Sequence, residues 1–562
     1  MTQTSWPRRT GAQILIDQLR IHGADTIFGV PGESYLAALD AMHDARNSMR
    51  YIICRQEGGA ANMAEAYGKL MGKPGICFVT RGPGATNASI GLHTGFQDST
   101  PMILLIGQVA REQADREAFQ EIDYRRMFGQ MSKWVAQIED PARIPELVSQ
   151  AFHRCMAGRP GPVVLALPED MLTEEAEVPD AGPYKVIRAA PSVDDMQLLH
   201  AMLAKARKPL VLLGGGGWSK QACDDIRYFI EANALPVSCA FRNQDLIDNR
   251  HPNYAGEFAI GISAALHKRV QECDLLLAIG PRLGEITSGG YTLFDIPVPR
   301  QPLVHVHAGA EELGRVYQAT LPINSGMAQF AAAARRLQPI KQPVWAGEAA
   351  AAHQAYLANI EPGVTPGSFD YAKVLRWLNT RLPEDAIVTN GAGNYAGWVH
   401  RFFQYKGIRT QLAPTSGAMG YGVPAAVAAK IAQPHRTVVS FAGDGCFLMN
   451  GQEFATAVQH QANIVVCVVD NGMYGTIRMH QEREYPERTL GTDLKNPDFA
   501  AYARAFGGHG ETVTRTEDFA PAFERALAAG KPAILHCLLD PEAITSRITL
   551  SKLRQQSLAR KH

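Results

Sequence analysis

Short apolar, β-branched runs alternate with longer stretches of helical period along most of the chain. In the first third, helical patterns such as residues 11–22 and 58–70 separate candidate strands at residues 26–30, 51–54, 76–80, 102–107 and 163–166. Continuous apolar strands separated by helices are typical of a parallel sheet that helices cover on both faces. The pattern therefore predicts an α/β fold.

The same alternation recurs twice further along the chain. A second set of strands is predicted at residues 209–213, 274–279 and 303–307, and a third at 386–389, 437–441, 464–469 and 533–538. A Pro/Gly-containing stretch at 177–191 and an Ala-rich, polar stretch at 339–368 separate the sets. We predict three doubly wound parallel-sheet domains, at residues 1–182, 190–340 and 365–545.

Composition excludes several classes of protein. Lys+Arg and Asp+Glu number 55 each in 562 residues, so no basic excess points to nucleic acid. No apolar run is long enough to span a bilayer, and the N-terminal stretch from Met1 has no signal-peptide core. The nine cysteines form no Cys-x-x-Cys, and several lie in apolar runs, as buried free thiols do. We expect a cytoplasmic enzyme that binds neither nucleic acid nor membrane.

Two polar side chains follow buried strands in the third domain. Asp444 lies in a Gly-Asp-Gly turn after one strand, and Asn471 ends the next, 27 residues later. Both are expected at the carboxyl ends of parallel strands, where open α/β sheets bind ligands. A carboxylate and an amide oxygen suit Mg²⁺, and glycines at 443, 445, 472 and 475 let the backbone approach a diphosphate. The Gly-Asp-Gly alone would only indicate a turn; with the spaced Asn it is a specific signal.

At these residues the sequence resembles the thiamine diphosphate enzymes, whose shared motif is Gly-Asp-Gly, a spacer and Asn. The resemblance implies that Asp444, Asn471 and the carbonyl of Met473 bind Mg²⁺. It also implies pyrimidine-binding, middle and diphosphate-binding domains in that order. The residues that it implies around the cofactor are Gly393, Asn394, Tyr395, Gly417, Met419, Gly443, Asp444, Gly445, Cys446, Asn471, Met473, Tyr474 and Gly475. Met419 would support the bent cofactor, although a buried methionine is also ordinary core packing.

The resemblance places one activating carboxylate, Glu57, in the first domain. A carboxyl group bonded to the aminopyrimidine ring promotes loss of the proton from C2 of the cofactor. On its own, Glu57 could equally be a surface glutamate at a helix N-terminus. The family builds each site from two subunits, so the resemblance implies a homodimer or homotetramer with shared active sites.

Within this family, the chain is most similar to acetolactate (acetohydroxyacid) synthase large subunits. The matching segments are Phe28-Gly-Val-Pro-Gly32, Thr80-Arg-Gly-Pro-Gly-Ala-Thr-Asn87 and Glu117-Ala-Phe-Gln-Glu-Ile-Asp123. They imply that Phe119 and Gln120 lie near the reacting carbon. Arg282 could pair with a substrate carboxylate, or it could be an ordinary surface or interdomain arginine.

Two departures from the synthase pattern affect the expected acceptor site. By position along the chain, His480 stands where the synthases have a tryptophan that recognises the second oxo acid. Glu33 stands where they have a small residue. The glycine cluster 214–217 is weak evidence for a dinucleotide, so FAD, which these synthases hold in the middle domain, is not favoured here.

The predicted function is decarboxylation and carboligation of a 2-oxo acid, dependent on thiamine diphosphate and Mg²⁺. Gln120 and His480 are candidates to position or protonate the second substrate. Three alternatives remain: a lyase or hydrolase of hydroxyketones or diketones, a flavin-linked oxidase, and a non-catalytic relative that only binds the cofactor. The last is disfavoured because Glu57, Asp444 and Asn471 are all present.

Overall fold

The computed structural model of the chain describes residues 6–561. The first five residues of the N-terminal stretch, in which no signal-peptide core was found, lie outside the described residues. Among the described residues, no helix is both long and apolar enough to cross a membrane.

The strands are β1 (Arg8–Thr10), β2 (Thr26–Gly29), β3 (Arg50–Ile53), β4 (Gly75–Val79), β5 (Met102–Gln108), β6 (Trp134–Gln137), β7 (Val163–Pro168), β8 (Glu175–Glu177), β9 (Pro209–Leu213), β10 (Val237–Ala240), β11 (Tyr254–Phe258), β12 (Leu275–Ile279), β13 (Leu303–His307), β14 (Leu321–Asn324), β15 (Ile387–Asn390), β16 (Gln411–Leu412), β17 (Val438–Gly443), β18 (Val465–Asp470), β19 (His509–Val513) and β20 (Ala533–Leu538).

The α-helices are α1 (Gly11–Ile21), α2 (Leu36–Asp44), α3 (Glu57–Met71), α4 (Pro83–Asp98), α5 (Tyr124–Phe128), α6 (Ile144–Met156), α7 (Glu169–Thr173), α8 (Val193–Lys205), α9 (Lys220–Ala232), α10 (Ala264–Glu272), α11 (Met327–Arg335), α12 (Glu348–Asn359), α13 (Tyr371–Arg381), α14 (Asn394–Phe402), α15 (Gly422–Ala432), α16 (Asp444–Asn450), α17 (Phe454–Gln459), α18 (Gly475–Glu484), α19 (Phe499–Ala505), α20 (Thr516–Ala528) and α21 (Leu550–Lys561).

Three six-stranded parallel sheets organise these elements, which confirms the predicted α/β class. Their strand orders are β3-β2-β4-β5-β7-β6, β11-β10-β9-β12-β13-β14 and β16-β15-β17-β18-β20-β19. Counted within each sheet, the first and third have the order 2-1-3-4-6-5, whereas the middle sheet has 3-2-1-4-5-6. In each sheet the order reverses at the first strand, as in doubly wound folds, and in the first and third sheets the last two strands are also exchanged.

By compactness the chain divides into two units. The first contains the residues up to Ile187 together with 420–435 and 448–463, and the second contains the rest. The residue ranges of the three predicted domains stay predictions.

In the first unit, the sheet β3-β2-β4-β5-β7-β6 carries helices on both faces. Helices α1, α2 and α6 contribute to a core that includes Leu15, Ile103, Phe152 and Leu165, all buried. Helices α3, α4 and α15 pack together closely. Gly91 of α4 allows this approach, because a Cβ atom there would lie 2.5 Å from Ala61 of α3. A pair of short antiparallel strands, β1 and β8, completes the unit.

In the second unit, two sheets share a continuous apolar core that includes Phe229, Trp345, Trp398 and Phe523. Arg242, which follows β10, donates to the backbone carbonyl of Gly391, 2.9 Å away, which follows β15. The glycine cluster after β9 has a packing explanation. A Cβ on Gly215 would lie 2.1 Å from the carbonyl oxygen of Gly280, and Gly215 has φ +68. Close packing of the two loops therefore explains the glycines, and dinucleotide binding is not needed to explain them.

All nine cysteines are free, and eight are buried, with Cys223 half-buried. The prediction of buried free thiols is confirmed, with Cys223 as the partly accessible case.

Candidate active site

Three parallel strands of the second unit end beside one another. Asn390 of β15 pairs with Phe441 of β17, and Gly443 of β17 pairs with Val469 of β18. Because parallel strands present their carboxyl ends at the same edge, the loops after residues 390, 443 and 470 converge. The strand order reverses between β15 and β17, and such switch points are where open α/β sheets bind ligands.

A cavity of about 230 Å³ opens at this edge. Every residue expected around the cofactor lies in its wall: Gly393, Asn394, Tyr395, Gly417, Met419, Gly443, Asp444, Gly445, Cys446, Asn471, Met473, Tyr474 and Gly475. The structure thus brings together, in one concave site, residues that the sequence scatters over 83 positions.

Asp444 begins helix α16 directly after β17 and is 3% exposed. The side-chain amide of Asn496 donates to Asp444 Oδ2 and to Asp470 Oδ1, at 2.8 Å in both cases. Asp470 also accepts from the backbone NH of Gly472 at 2.9 Å, and it pairs with His536 Nε2 at 2.8 Å. Two carboxylates therefore share one amide, and one of them, Asp444, lies in the wall of the cavity.

The electrostatics of the two carboxylates differ. Burial raises the pKa of Asp444 to about 6, and repulsion from Asp470 adds to this, while the bond from Asn496 opposes it. Burial also raises the pKa of Asp470, but its bonds from His536, Gly472 and Asn496 outweigh that effect and hold it below the usual value. A cation beside Asp444 would remove the cost of keeping its carboxylate ionised.

The backbone around the cavity leaves no room for side chains. A Cβ on Gly445 would lie 2.5 Å from the ring of Tyr474, and one on Gly443 would lie 2.9 Å from the ring of Tyr395. Gly393 has φ +141, a conformation that side-chain-bearing residues rarely adopt. These positions allow a ligand to approach the backbone directly.

Helix α14 begins at the cavity and fixes two polar groups there. Asn394 Nδ2 donates to the carbonyl of Ile544 at 2.9 Å, and Asn394 Oδ1 accepts from Thr476 Oγ1 at 2.9 Å. The hydroxyl of Tyr395 lies 3.2 Å from Cys446 Sγ and accepts from the backbone NH of Gly391 at 3.0 Å.

Glu57 is the first residue of helix α3 in the first unit, and it is half-buried. The side chain of Gln56 caps this helix by accepting from the NH of Gly59 at 3.1 Å. Glu57 Oε2 accepts from Asn87 Nδ2 of helix α4 at 2.9 Å. A carboxylate oriented by one amide and located at a helix N-terminus can share a proton with a ligand nitrogen.

Phe119 and Gln120 lie on a loop of the same unit. Arg81 Nε donates to the carbonyl of Phe119 at 3.2 Å, and a Cβ on Gly82 would lie 2.7 Å from the carbonyl oxygen of Gln120. The ring of Phe119 is 72% exposed. Arg81 also pairs with Glu33 at 3.2 Å and with Glu169 at 2.9 Å. Glu33, a departure from the synthase pattern, therefore serves as a partner of the arginine that holds this loop.

The two remaining predicted residues lie in different places. His480, on α18, is exposed, its Nδ1 contacts Arg483, and it lines a second cavity of this unit. Burial and the charge of Arg483 lower the pKa of His480. Arg282 is in the wall of neither of these two cavities, and its Nε lies 3.5 Å from the buried carboxylate of Glu312.

Asn496, Asp470 and Asn87 were not among the predicted site residues. Asp470 precedes Asn471 at a strand end, which was an available signal. Asn496 and Asn87 do not directly follow a predicted strand. Only the folded chain shows that Asn496 orients Asp444 and that Asn87 orients Glu57.

Among residues 6–561, no three or more His, Cys, Asp and Glu side chains form a group that could hold a metal ion. The expected Mg²⁺ set is of a different kind, since it combines one carboxylate with an amide oxygen and a carbonyl.

Comparison with known families gives three matches along the chain. Residues 9–127 match the thiamine pyrophosphate enzyme N-terminal TPP binding domain, residues 196–334 the central domain, and residues 391–537 the C-terminal TPP binding domain. These matches cover most of the chain and include strands of all three sheets.

Individual relatives agree with these matches. The chain is 31% identical to acetolactate synthase isozyme 2 large subunit of Escherichia coli, over 94% of this chain and 95% of that protein. It is 33% identical to an acetolactate synthase large subunit of Parasynechococcus marenigrum, over 94% and 87%, and 30% identical to a probable acetolactate synthase large subunit of Methanocaldococcus jannaschii, over 94% and 92%.

The fold and the site define a thiamine diphosphate-dependent enzyme that forms or cleaves carbon–carbon bonds. The chain belongs to the thiamine pyrophosphate enzyme family, in which it resembles the acetolactate synthase large subunits.

Proposed function

We propose that the enzyme uses thiamine diphosphate with Mg²⁺ to decarboxylate a 2-oxo acid and to join the product to a second carbonyl compound. The observation that carries this proposal is the cavity at the ends of β15, β17 and β18, whose wall contains all the residues expected around the cofactor. The names of the relatives, which are acetolactate synthases, support a 2-oxo acid as the substrate class.

The residues at this cavity suit a diphosphate and a divalent cation. The glycine backbone at 443 and 445 permits close approach, and the buried Asp444 next to Asp470 favours a cation. Asp444, Asn471 and the carbonyl of Met473 would hold Mg²⁺, and Asn394 would face the diphosphate. When bound, the cofactor supplies a nucleophilic carbon and a sink for electrons.

The roles proposed for this chain's own residues follow from their positions. Glu57, oriented by Asn87, would hold or release a proton at the pyrimidine ring of the cofactor. Met419 would support the bend between the cofactor's two rings, and Gly417 would accept from its amino group. Phe119 and Gln120 would lie beside the substrate, on the loop that Arg81 holds.

The assembly and the location are further parts of the proposal. Glu57 and Asp444 lie in different compact units, and the family resemblance supports a homodimer or homotetramer in which two chains share each site. The nine free cysteines support a cytoplasmic location.

The test combines binding with turnover. Purified protein is titrated with thiamine diphosphate and Mg²⁺ by calorimetry and then given pyruvate, with pyruvate loss and products followed. We expect cofactor binding and consumption of a 2-oxo acid. The variant Glu57→Gln should lose at least a hundredfold in kcat, because it removes the ionisable group, while retaining the bond from Asn87 and the melting temperature.

The alternatives give different outcomes in the same test. Cleavage of a hydroxyketone or diketone, with no 2-oxo acid consumed, would indicate the lyase or hydrolase. A flavin absorption band with oxygen uptake would indicate the oxidase. Cofactor binding without turnover of any donor, or full activity in Glu57→Gln, would contradict the proposal.

A further inference from the structure

A second cavity, of about 630 Å³, lies in the same compact unit as the first. It is bounded by strand β11 and the loop after it, by helices α14 and α18, and by residues 545–548. Ala392, Gly393, Asn394, Gly417 and Thr476 belong to the walls of both cavities. The larger cavity is therefore continuous with the proposed cofactor site and has room for more than the cofactor.

Charge in the wall of the larger cavity is strongly one-sided. Four arginines line it, Arg242, Arg401, Arg483 and Arg547, against a single carboxylate, Glu257. Burial raises the pKa of Glu257 to about 8. At neutral pH this carboxyl group is therefore mostly protonated and neutralises little of the positive charge.

Arg401 and Arg547 form a pair through shared partners. Arg401 Nε donates to the carbonyl of Asn359 at 2.8 Å, and Arg547 Nη2 donates to Asn359 Oδ1 at 3.1 Å. Arg401 Nη1 also donates to the carbonyl of Ser546 at 2.8 Å, and Arg547 Nη2 to the carbonyl of Gly261 at 3.3 Å. Neutral oxygens thus hold two guanidinium groups that share Asn359 as a partner.

In the part of the chain that the structure describes, no carboxylate lies within 4 Å of a guanidinium nitrogen of Arg401 or Arg547. Burial and, to a smaller extent, the charge of Arg547 together lower the pKa of Arg401 to about 10. The group nevertheless stays protonated at neutral pH. Other arginines of this unit are neutralised: Arg381 pairs with Glu524, and Arg376 pairs with Glu361 at 2.6 Å.

We propose that the Arg401–Arg547 pair binds an oxyanion, either a carboxylate, a sulfonate or a phosphate, of a small molecule in the larger cavity. Two guanidinium groups can donate several charge-assisted hydrogen bonds to the oxygens of such a group, and an anion there would offset the repulsion between the two arginines. The oxyanion has two sources. It is either a group at the far end of the substrate or a separate small anion. The first assignment rests on the proposed function, and the second does not.

A purely structural role for the pair gives a different expectation. Arg401 could simply brace helix α14 against residues 359 and 546 through its backbone bonds. That role needs no second positive charge, whereas Arg547 adds one, on an exposed side chain. In a brace, loss of either arginine would lower the melting temperature without altering the binding of anions.

The first experiment uses the protein saturated with thiamine diphosphate and Mg²⁺, so that the cofactor's own phosphate site is filled. Sulfate is titrated at constant ionic strength into the wild type, Arg401→Gln, Arg547→Gln and the control Arg381→Gln, with heat and melting temperature followed. We expect saturable binding in the wild type and in the control, and at least a tenfold weaker affinity in each of the other two variants. Equal sulfate affinity in all four proteins would overturn the proposal. If Arg401→Gln does not fold, the variant of the exposed Arg547 decides.

A second arm identifies the source of the oxyanion. Turnover is compared for 2-oxoglutarate and 2-oxopentanoate, which differ in a terminal carboxylate. One result is that the wild type prefers 2-oxoglutarate, that Arg547→Gln loses this preference, and that sulfate inhibits in competition with 2-oxoglutarate. This result would assign the site to the substrate. Arginine-dependent sulfate binding without any effect on either KM assigns it to a separate anion. Thiamine diphosphate binding is measured beforehand, so failure of the proposed function is seen independently of the sulfate result.

Discussion

The amide of Asn496 holds two carboxylates, Asp444 in the wall of the proposed cofactor site and its neighbour Asp470. A single amide nitrogen that donates to both fixes their separation and opposes their repulsion. Residues that orient ligands in this way commonly change metal affinity by about 10–100-fold when they are removed.

Asn496→Ala should weaken the binding of thiamine diphosphate and Mg²⁺ by about tenfold or more, because Asp444 and Asp470 then lose their shared donor. Calorimetric titration of Mg²⁺ at saturating thiamine diphosphate measures this change. Lys495→Ala, at the exposed neighbouring position, serves as the control and should bind as the wild type does. Unchanged Mg²⁺ affinity in Asn496→Ala would show that the two carboxylates do not act in cation binding.

The sequence was informative about residues that follow strands and uninformative about their partners. Asp444 and Asn471 end apolar runs, so their place at a sheet edge could be inferred from spacing alone. Asn496 lies 25 residues beyond Asn471 with no strand before it, and Asn87 lies inside a helix. Contacts of that kind depend on how the helices and loops pack, which periodicity does not specify.

Most strands inside a sheet were predicted from the sequence, and most strands at a sheet edge were not. All twelve predicted strands are present within two residues of their expected ends, which confirms them. Of the strands in the three large sheets that the pattern did not predict, β6, β11, β14, β16 and β19 lie at a sheet edge, and β10 is the exception inside the middle sheet. An edge strand has one neighbour and is partly polar, as His509–Val513 is, so no continuous apolar run announces it.

The packing of helix α3 against α4 positions Glu57 and Asn87, and Gly91 makes it possible. Gly91→Ala should lower the stability by about 1–3 kcal/mol, because the new methyl group meets the backbone of Ala61 at 2.5 Å. The melting temperature and the activity should fall together, since both helices carry site residues. Gly397→Ala in α14, where no atom lies within 4 Å of the added Cβ, should leave the melting temperature unchanged or raise it. Equal melting temperatures in the two variants would contradict this account.

His22 at the end of helix α1 makes the first unit sensitive to acid. Its ring is 4% exposed and stacks on Phe152, with centroids 4.8 Å apart, and its Nδ1 accepts from the NH of Tyr184 at 3.1 Å. Burial, with a smaller contribution from His153, lowers the pKa of His22 to about 4. Between the usual value near 6.5 and this value, the unfolded chain binds a proton that the folded chain does not, so stability falls as the pH falls through this window.

His22→Gln should therefore show a shallower loss of stability between pH 6.5 and pH 5, by at most about 1.4 kcal/mol per pH unit. Its stability at pH 7.5 should be lower, because the stacking on Phe152 is lost. Melting temperatures across this range measure both effects, with the exposed His43→Gln as the control. Parallel curves for His22→Gln and the wild type would rule out His22 as the titrating group.

For the whole molecule, the proposal that two chains share each site has a quantitative consequence. Glu57→Gln and Asp444→Ala should each be inactive alone. Mixed in equal amounts and allowed to exchange subunits, half of the dimers contain one chain of each kind, and each such dimer has one intact site. Activity should return to about a quarter of the wild-type value. A mixture that stays inactive, although subunit exchange is shown by a mass tag, would mean that each chain builds its own site.

The shared connectivity of the first and third sheets bears on the history of the chain. Two sheets that follow the order 2-1-3-4-6-5, separated by one that follows 3-2-1-4-5-6, are the pattern that duplication of one ancestral segment around an unrelated insert would leave. In such a descent the two copies diverged in chemistry while keeping their topology. The first sheet has a lone carboxylate, Glu57, after its second strand, and the third has Asp444 and Asn471 after its third and fourth. In that descent, the two copies would have been alike immediately after the duplication. The different roles of the first and third sheets would have arisen later.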